Sequence, residues 1–585
     1  MKEFQIEYKN DKAFIKELEE INKWRASKPT YATVFHIYSS DMNLDHIRHV
    51  CDIIDDKMPD AQYMGCTTNA NILGGALSSS HIILNCTVCE YPTTQAKIVQ
   101  LPFSQETVKD DVRRLREYCL ANPWVKAVEI HATVLGMPIR EFCEELSTLR
   151  SDVQVFGGGS CAPDMEEITS YVFSKGNEIS EHSIVFLMVG GEDFHAYSTF
   201  ISGWKPLKRK FKVTKAQGQL LYELDGQPAF EVYRKFLKVD KGENLVANTL
   251  EFPLMMDHNG IDIQRCLWQV NDDDSIMLTA DMTGATDVRF AYGDPATILS
   301  SIRRDGQKIA DFRPDIIQIF SCASRRAFWG DDNISDETIL FQSVAPASGF
   351  YTSGEFLRIN GDVCTFNTTL VLAAMREGEP KNKAVNLYDT KLDNIESEKI
   401  PMISRFVSLI DAFTAELEEL NAKLKQASIT DGLTSLYNRA EIEKKIRSAV
   451  NSRDQSEALS LIMFDIDNFK KINDVYGHKE GDKVIIALSA TLRKMVNLKG
   501  AFTGRWGGEE FMALLPGCDV NAAAKLAEKI RKEFAAISYE IAGPQTVSIG
   551  VVQAKHGENA DALYVRVDKA LYKAKANGKN QVVTL

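Results

Sequence analysis

Seven consecutive residues, Arg505-Trp506-Gly507-Gly508-Glu509-Glu510-Phe511, constrain this chain more than any others. Paired glycines form a tight turn, and two acids directly after them aim carboxylates from a hairpin tip, where metal-bound phosphate can be held. Alone, the stretch fits an ordinary hairpin with solvated glutamates equally well. The sequence upstream tips the balance. Ser460-Leu461-Ile462-Met463-Phe464 reads as a buried strand running into Asp465-Ile466-Asp467, so a carboxylate stands where a strand gives way to a loop. Ligands commonly bind at that position in α/β folds. Asp465 and Glu509 on adjacent strand ends offer hard oxygen ligands suited to Mg²⁺, which takes one or two carboxylates and completes its shell with substrate phosphates.

Between the acids, Asn468-Phe469-Lys470-Lys471-Ile472-Asn473-Asp474 opens a helix whose first N–H groups face an anion. Gly477-His478-Lys479-Glu480-Gly481-Asp482 follows with a second polar set. An amide and a carboxylate, Asn473 and Asp482, can together read the donor and acceptor edge of a purine. Residues 568–580 are read as the end of a helix that sets Lys575 and Lys579 a turn apart. Two ammonium groups so placed can clamp the β- and γ-phosphates.

With these residues in view, 429–585 closely resembles the GGDEF family of diguanylate cyclases. The likeness rests on Asp431-Gly432-Leu433-Thr434-Ser435-Leu436-Tyr437-Asn438-Arg439, on Asp465-Ile466-Asp467, Asn473-Asp474 and Gly481-Asp482, and on the hairpin and the lysine helix, all in order. It implies a ferredoxin-like, cyclase-palm fold and a nucleotidyltransferase that condenses two GTP into cyclic di-GMP and two pyrophosphates, each 3′-hydroxyl attacking the α-phosphate of the other nucleotide. Each domain supplies half a site. Position by position, the resemblance implies that Asp465, the Ile466 carbonyl and Glu509 hold two Mg²⁺ ions per half-site. It gives guanine to Asn473 and Asp482, the terminal phosphates to Lys575 and Lys579, and a place beside the nucleotide to Phe469, Lys470 and His478. Glu509 is also the family's candidate for easing the 3′-hydroxyl proton away. Where many relatives carry a charged Arg-x-x-Asp inhibitory pair for their own product, this chain has Leu498 and Ala501, so inhibition through that site is expected to be absent. The rival expectation is a catalytically silent GGDEF receptor or scaffold; the intact Asp465, Glu509 and Lys575 favour an active enzyme.

Ahead of this region, Ile403, Phe406, Ile410, Phe413, Leu417, Leu420 and Leu424 recur at spacings of three and four, an a/d heptad seam. Pro401 suits the first turn of that helix, and Glu416, Glu418, Glu419, Lys423 and Lys425 flank the seam. A single amphipathic helix lying on its own domain is the plainer alternative. A parallel two-stranded coil would set two catalytic domains on one twofold axis, as a homodimer requires.

The 585 residues leave room for three or four domains, and 44% hydrophobic with 25% charged residues is a globular composition. No apolar run approaches the roughly 18 residues that span a bilayer. Met1-Lys2-Glu3-Phe4 is too polar to open a signal peptide, so a cytoplasmic protein without a membrane partner is expected. A formal charge of −13 argues against long nucleic acid as a partner. The 11 cysteines show no disulfide spacing, which fits a reducing compartment. Cys86-Thr87-Val88-Cys89 lies in an alternating run that sends its thiols to opposite faces, which predicts buried structural cysteines and not a redox or zinc pair.

After an extension at 1–30, strand and helix patterns alternate. Tyr31-Ala32-Thr33-Val34-Phe35-His36-Ile37, a helix over 44–58 and a strand over 61–66 form one unit; a similar one runs from 127–130 through 139–149 to Val155-Phe156-Gly157-Gly158-Gly159-Ser160-Cys161. A third segment holds residues 315–326, then Gly349-Phe350-Tyr351-Thr352-Ser353-Gly354-Glu355-Phe356 and Phe366-Asn367-Thr368-Thr369. Together these resemble the two halves of a FIST sensory domain, at 31–230 and 231–385, with a signalling helix at 386–428. The family resemblance implies a small-molecule ligand. Arg325, Tyr351, Thr352 and Glu355 suit a zwitterion, the guanidinium meeting a carboxylate and the acid an amine. A buried polar network that stabilises the fold accounts for them equally well. Haem is a second ligand idea, but His36, His46, His131, His182 and His195 carry no haem motif. The expected whole is an α/β and α+β multidomain chain: a layered α/β sensor, a coiled-coil helix and a catalytic domain.

Overall fold

Three times in the first 411 residues a strand leads through helix into a second strand parallel to it. Ala32–Ser39 pairs with Gln62–Thr67 around helix Leu44–Lys57, and Val125–Ala132 with Gln154–Gly159 around helix Ile139–Leu146. Ile316–Cys322 pairs with Ala347–Thr352 after helices Ala323–Trp329 and Ile339–Gln342. On its other side each first strand meets an antiparallel neighbour: Ile82–Cys89, Ser183–Gly190 and Leu370–Glu377 respectively. These strands are buried on both faces, which is why they read as nearly unbroken apolar runs. A nine-stranded sheet from residues 204–293 completes the layers. The computed structural model describes residues 1–134, 137–164, 167, 169–242, 244–282, 284–389, 402–452 and 457–585, in two compact units, Met1–Asp411 and Ala412–Leu585.

Two further contacts shape the first unit. Residues 1–30 pack onto this unit: Lys2–Glu7 is an edge strand on Ile82–Cys89, and helix Asp11–Ala26 buries Phe14, Leu18 and Ile21 against Ile47 and Val50. The halves at 31–230 and 231–385 are interlocked. Glu355–Ile359 joins the sheet of Gln154–Gly159, Phe194–Ile201 joins that of Leu370–Glu377, and Asn71–Leu73 pairs with Ala347–Thr352. Each half supplies edge strands to the other, so neither buries its sheets alone. The cysteine reading holds: all 11 are free thiols, with Cys86 in one apolar core and Cys89 in another.

In the second unit a five-stranded sheet runs in the order Phe502–Arg505, Glu510–Pro516, Leu459–Ile466, Val547–Gln553, Val582–Thr584. Only the last pairing is parallel. Strict alternation along the central strand divides it between two cores: Ile462, Phe464 and Ile466 pack with Val484 and Leu488, while Leu459, Leu461 and Met463 pack with Val567 and Leu571. Helix Ala560–Ala576 lies directly on the sheet because Gly550 lets it; a Cβ there would stand 2.5 Å from the Leu571 nitrogen.

Helix Met402–Ile429 exposes Phe406, Ile410, Phe413, Leu417, Leu420 and Leu424 by 52–59% each. Pro401 lies outside the described residues, as do the side chains of Ile403, Glu418 and Lys423. Among the described residues no helix is long and apolar enough to cross a membrane.

Candidate active site

Asp465 occupies the last turn outward of the central strand, on the face that carries helix Ala560–Ala576, and its Oδ2 accepts a hydrogen bond of 2.6 Å from Lys575 Nζ. In register beside it stands Glu510, and the Ile466 N–H donates to the Glu509 carbonyl at 3.3 Å, which fixes the hairpin tip against the strand end. Burial first, then the neighbouring Glu509 and Glu510 charges, push the Asp465 carboxyl up to about 6, against the pull of Lys575. Asp467 has a different task. Its carboxylate accepts from Ser548 and Thr546 hydroxyls and from the Asn580 N–H at 2.6, 2.7 and 3.0 Å, tying three loops together.

The lysine helix ends sooner than its sequence suggests. It stops at Ala576 with Asn577 as cap, and Lys579 follows Gly578 in a left-handed turn, φ +63°. Helical spacing therefore does not set the two lysines; the Asn580 anchor on Asp467 does. Lys579 Nζ reaches Asn468 Oδ1 at 2.6 Å, so both ammonium groups converge on the loop after the central strand.

Helix Phe469–Tyr476 meets helix His478–Met495 at Gly477, whose φ of +85° makes the bend. The Phe469 ring is buried in the core and Lys470 is exposed, so of this pair only the lysine side chain can reach a ligand. Asn473 Oδ1 is buried without a hydrogen-bond partner among the described residues, pressed against Gly481 so closely that a Cβ there would stand 2.0 Å away. His478 opens the second helix and Asp482 lies one turn further along it, both exposed. Leu498 and Ala501 form a short turn with no charge on either side chain.

Arg505 is the residue that the sequence reading missed. Its guanidinium donates to the Gly507 and Gly508 carbonyls at 3.1, 3.1 and 2.7 Å and pairs with Asp431 at 3.2 Å. It thus clamps the tip that bears Glu509 and ties it to the segment after helix Met402–Ile429. Its position one residue ahead of the Trp506-Gly507-Gly508 turn was the available signal. Among the described residues no three His, Cys, Asp or Glu side chains converge enough to hold a metal ion by themselves.

The sensor candidates behave otherwise. Arg325 donates to both Glu337 oxygens at 2.8 and 2.7 Å and to the Ser202 and Thr368 carbonyls at 3.0 and 2.8 Å, and both side chains of the ion pair are 0% exposed. No face remains for a ligand carboxylate, so Arg325 is structural. Tyr351 is buried as well. Thr352 and Thr369 hydroxyls donate to Glu355, and burial raises that carboxyl to about 8. His36 and His131 both bond to Glu129, at 3.1 and 3.0 Å in the interior, which accounts for them without haem.

Comparisons with known proteins agree with this division. Residues 428–581 match the model of the diguanylate cyclase GGDEF domain, 33–227 that of the FIST N domain and 229–358 that of the FIST C domain. The chain is 40% identical over 169 residues to diguanylate cyclase DgcM of Escherichia coli K12, covering 29% of this chain and 41% of that protein. It is 37% identical over 193 residues to a diguanylate cyclase of Vibrio cholerae serotype O1, covering 32% and 58%. The solved active GGEEF domain of a Vibrio cholerae diguanylate cyclase shares 38% identity over 26% of this chain and 97% of its own, with a TM-score of 0.25. The C-terminal region carries the diguanylate cyclase GGDEF domain. Ahead of it the chain carries the FIST N and FIST C domains. It spans 41% and 58% of the length of the two curated relatives named.

Proposed function

We propose that the chain is a ligand-regulated diguanylate cyclase, working as a homodimer that joins two GTP into cyclic di-GMP and releases two pyrophosphates. The observation that carries this reading is the meeting of Asp465, the Glu509 tip and Lys575 at the end of strand Leu459–Ile466. The negative charges of Glu509 and Glu510 that help push up the buried Asp465 carboxyl also favour a bound cation there. Two carboxylates and the Ile466 carbonyl are an incomplete set of hard oxygens, which suits Mg²⁺ because that ion keeps waters and substrate phosphates. When bound, it supplies charge neutralisation at the phosphates and alignment for in-line displacement.

The chain's own residues divide the remaining work. The unpartnered Asn473 Oδ1 accepts a guanine N–H, and Asp482 across the bend accepts another. Lys575 and Lys579 leave Asp465 and Asn468 for the terminal phosphates, and the N-terminal N–H groups of helix Phe469–Tyr476 face the same anion. Glu509 orients the attacking 3′-hydroxyl and lowers the cost of its proton leaving. Each domain holds one nucleotide, so two must face each other, and the exposed stripe on helix Met402–Ile429 supports pairing through a coiled coil.

The test is cyclic di-GMP formation from GTP and Mg²⁺, followed across a dilution series together with sedimentation. Phe413→Asp combined with Leu417→Asp puts unpaired charge in the seam and is expected to make specific activity fall on dilution where the wild type holds. Equal activity at every dilution rejects the coil as the dimer contact. No cyclic di-GMP from wild type rejects the cyclase reading in favour of a silent nucleotide receptor.

A further inference from the structure

We propose that a cleft in the N-terminal unit binds a small organic monocarboxylate, its charged end seated on Arg265 and its body otherwise uncharged. The cleft lies between helix Ile139–Leu146, the hairpin of strands Leu254–His258 and Ile261–Arg265, and strand Asp362–Phe366.

Arg265 is 5% exposed, and an enclosed guanidinium keeps its charge and needs its donors met. Its Nε donates to the Asp281 carbonyl at 3.0 Å, and its Nη1 to the Gln264 and Thr365 carbonyls at 2.8 and 3.3 Å. Among the described residues Nη2 has no hydrogen-bond partner and the side chain forms no ion pair. Asp281, the acid whose charge it feels most, reaches it through a backbone oxygen. Two other arginines of the unit show the contrast. Arg325 is closed on Glu337 and two carbonyls, and Arg358 has both terminal nitrogens on backbone carbonyls. Of the three, Arg265 keeps a terminal nitrogen for a ligand, and it lines the cleft.

The cleft holds about 710 Å³, within the range of small-molecule sites. Ile139, Met256, Ile263 and Val363 line it as well and are buried, so an apolar body that covers their remaining surface gains from leaving water. The charges around the cleft limit the rest of the ligand. Glu141, Glu144, Asp281 and Asp362 stand there with one further arginine, Arg140, which pairs with Glu144 at 2.8 Å. A dianion would meet four acids for one open nitrogen. An uncharged ligand would leave the guanidinium without the anion that an enclosed cation favours.

This inference extends the regulatory half of the proposed function, and because binding alone tests it, its failure is separate from a failure to convert GTP. Four probes on one skeleton are titrated calorimetrically into the full chain at neutral pH: 3-phenylpropionate, its uncharged amide, benzylmalonate with a second carboxylate, and phenylalanine with an added ammonium. The first is expected to bind at least about tenfold more tightly than each of the others, the worth of one hydrogen bond to a charged group. Arg265→Gln should erase the preference for the acid over the amide. Gln219→Trp narrows the cleft from a half-buried position in its lining and should weaken 3-phenylpropionate by a similar factor. If Arg265→Gln fails to fold, Gln219→Trp and the contrast between probes on the wild type decide. Equal or tighter binding of the amide, benzylmalonate or phenylalanine overturns the proposal, as does no binding of the acid at millimolar concentration. So does a folded variant, Arg265→Gln with the preference intact or Gln219→Trp with wild-type affinity.

Discussion

Lys575 with Asp465 in the C-terminal unit, and Arg325 with Glu337 in the N-terminal unit, are each a cation and a carboxylate within 2.6–2.7 Å. Their surroundings separate them. The first pair is 37% and 9% exposed, and Asp465 also feels two further acids; the second is wholly enclosed, and backbone carbonyls take its remaining donors. A pair with one open side can exchange its partner for a phosphate or a metal ion. A closed pair can only hold the fold, since removing either member leaves a buried charge.

The sharpest way to break that contrast is Arg325→Leu. It strands the Glu337 carboxylate, and the sensor's melting transition is expected to lose about 3–5 kcal/mol, while the catalytic unit's own transition is unchanged. A loss below about 1 kcal/mol would return Arg325 to the candidates for ligand binding. On the open side, Glu509→Gln should lower turnover at least about a hundredfold, or ~3 kcal/mol of transition-state stabilisation, with the melting temperature hardly moved. Retention of more than a tenth of wild-type activity counts against Glu509 as a metal ligand.

Gly481→Ala probes the same open site more gently. The new Cβ would fall 2.0 Å from Asn473 Oδ1, and the amide, a short side chain at a helix surface, can turn away without breaking the core. Losing one guanine contact is expected to raise the KM for GTP about tenfold with kcat little changed. A fall in kcat at unchanged KM would show that Asn473 does not read the base.

The candidate site residues were legible because a few short motifs carry them: a strand running into Asp465, a Gly-Gly turn before Glu509, and lysines spaced along one segment. What the sequence could not show was Asn580 reaching back to Asp467, the contact that places Lys579 after the helix has ended. The sensor was legible as strand–helix–strand units and misleading as a site. Arg325 looked available since its partner Glu337 arrives from a separate 3₁₀ turn, residues Ile334–Glu337, that no motif marks.

The smallest effect concerns two buried carboxyls that differ only in their partners. Glu129 bonds to two imidazoles which, against the cost of burial, hold it down at about 2; Glu355 bonds to two neutral hydroxyls, and burial carries it up to about 8. The sign for Glu355 follows from proton counting. Its folded value lies above the ordinary 4.5, so between 4.5 and about 8 the native state holds more protons than the unfolded chain. Stability must fall as pH rises through that window, by about 1 kcal/mol per pH unit where the difference is full. Glu355→Gln keeps the shape and removes the proton, so the sensor's melting temperature should lose that part of its pH dependence between 6 and 8 and be higher than wild type at the alkaline end. Glu129 is charged in both states across this range and contributes no slope, which leaves Glu355 the carboxyl that this comparison isolates. If Glu355→Gln melts with the same pH dependence as wild type, Glu355 is already ionised in the fold.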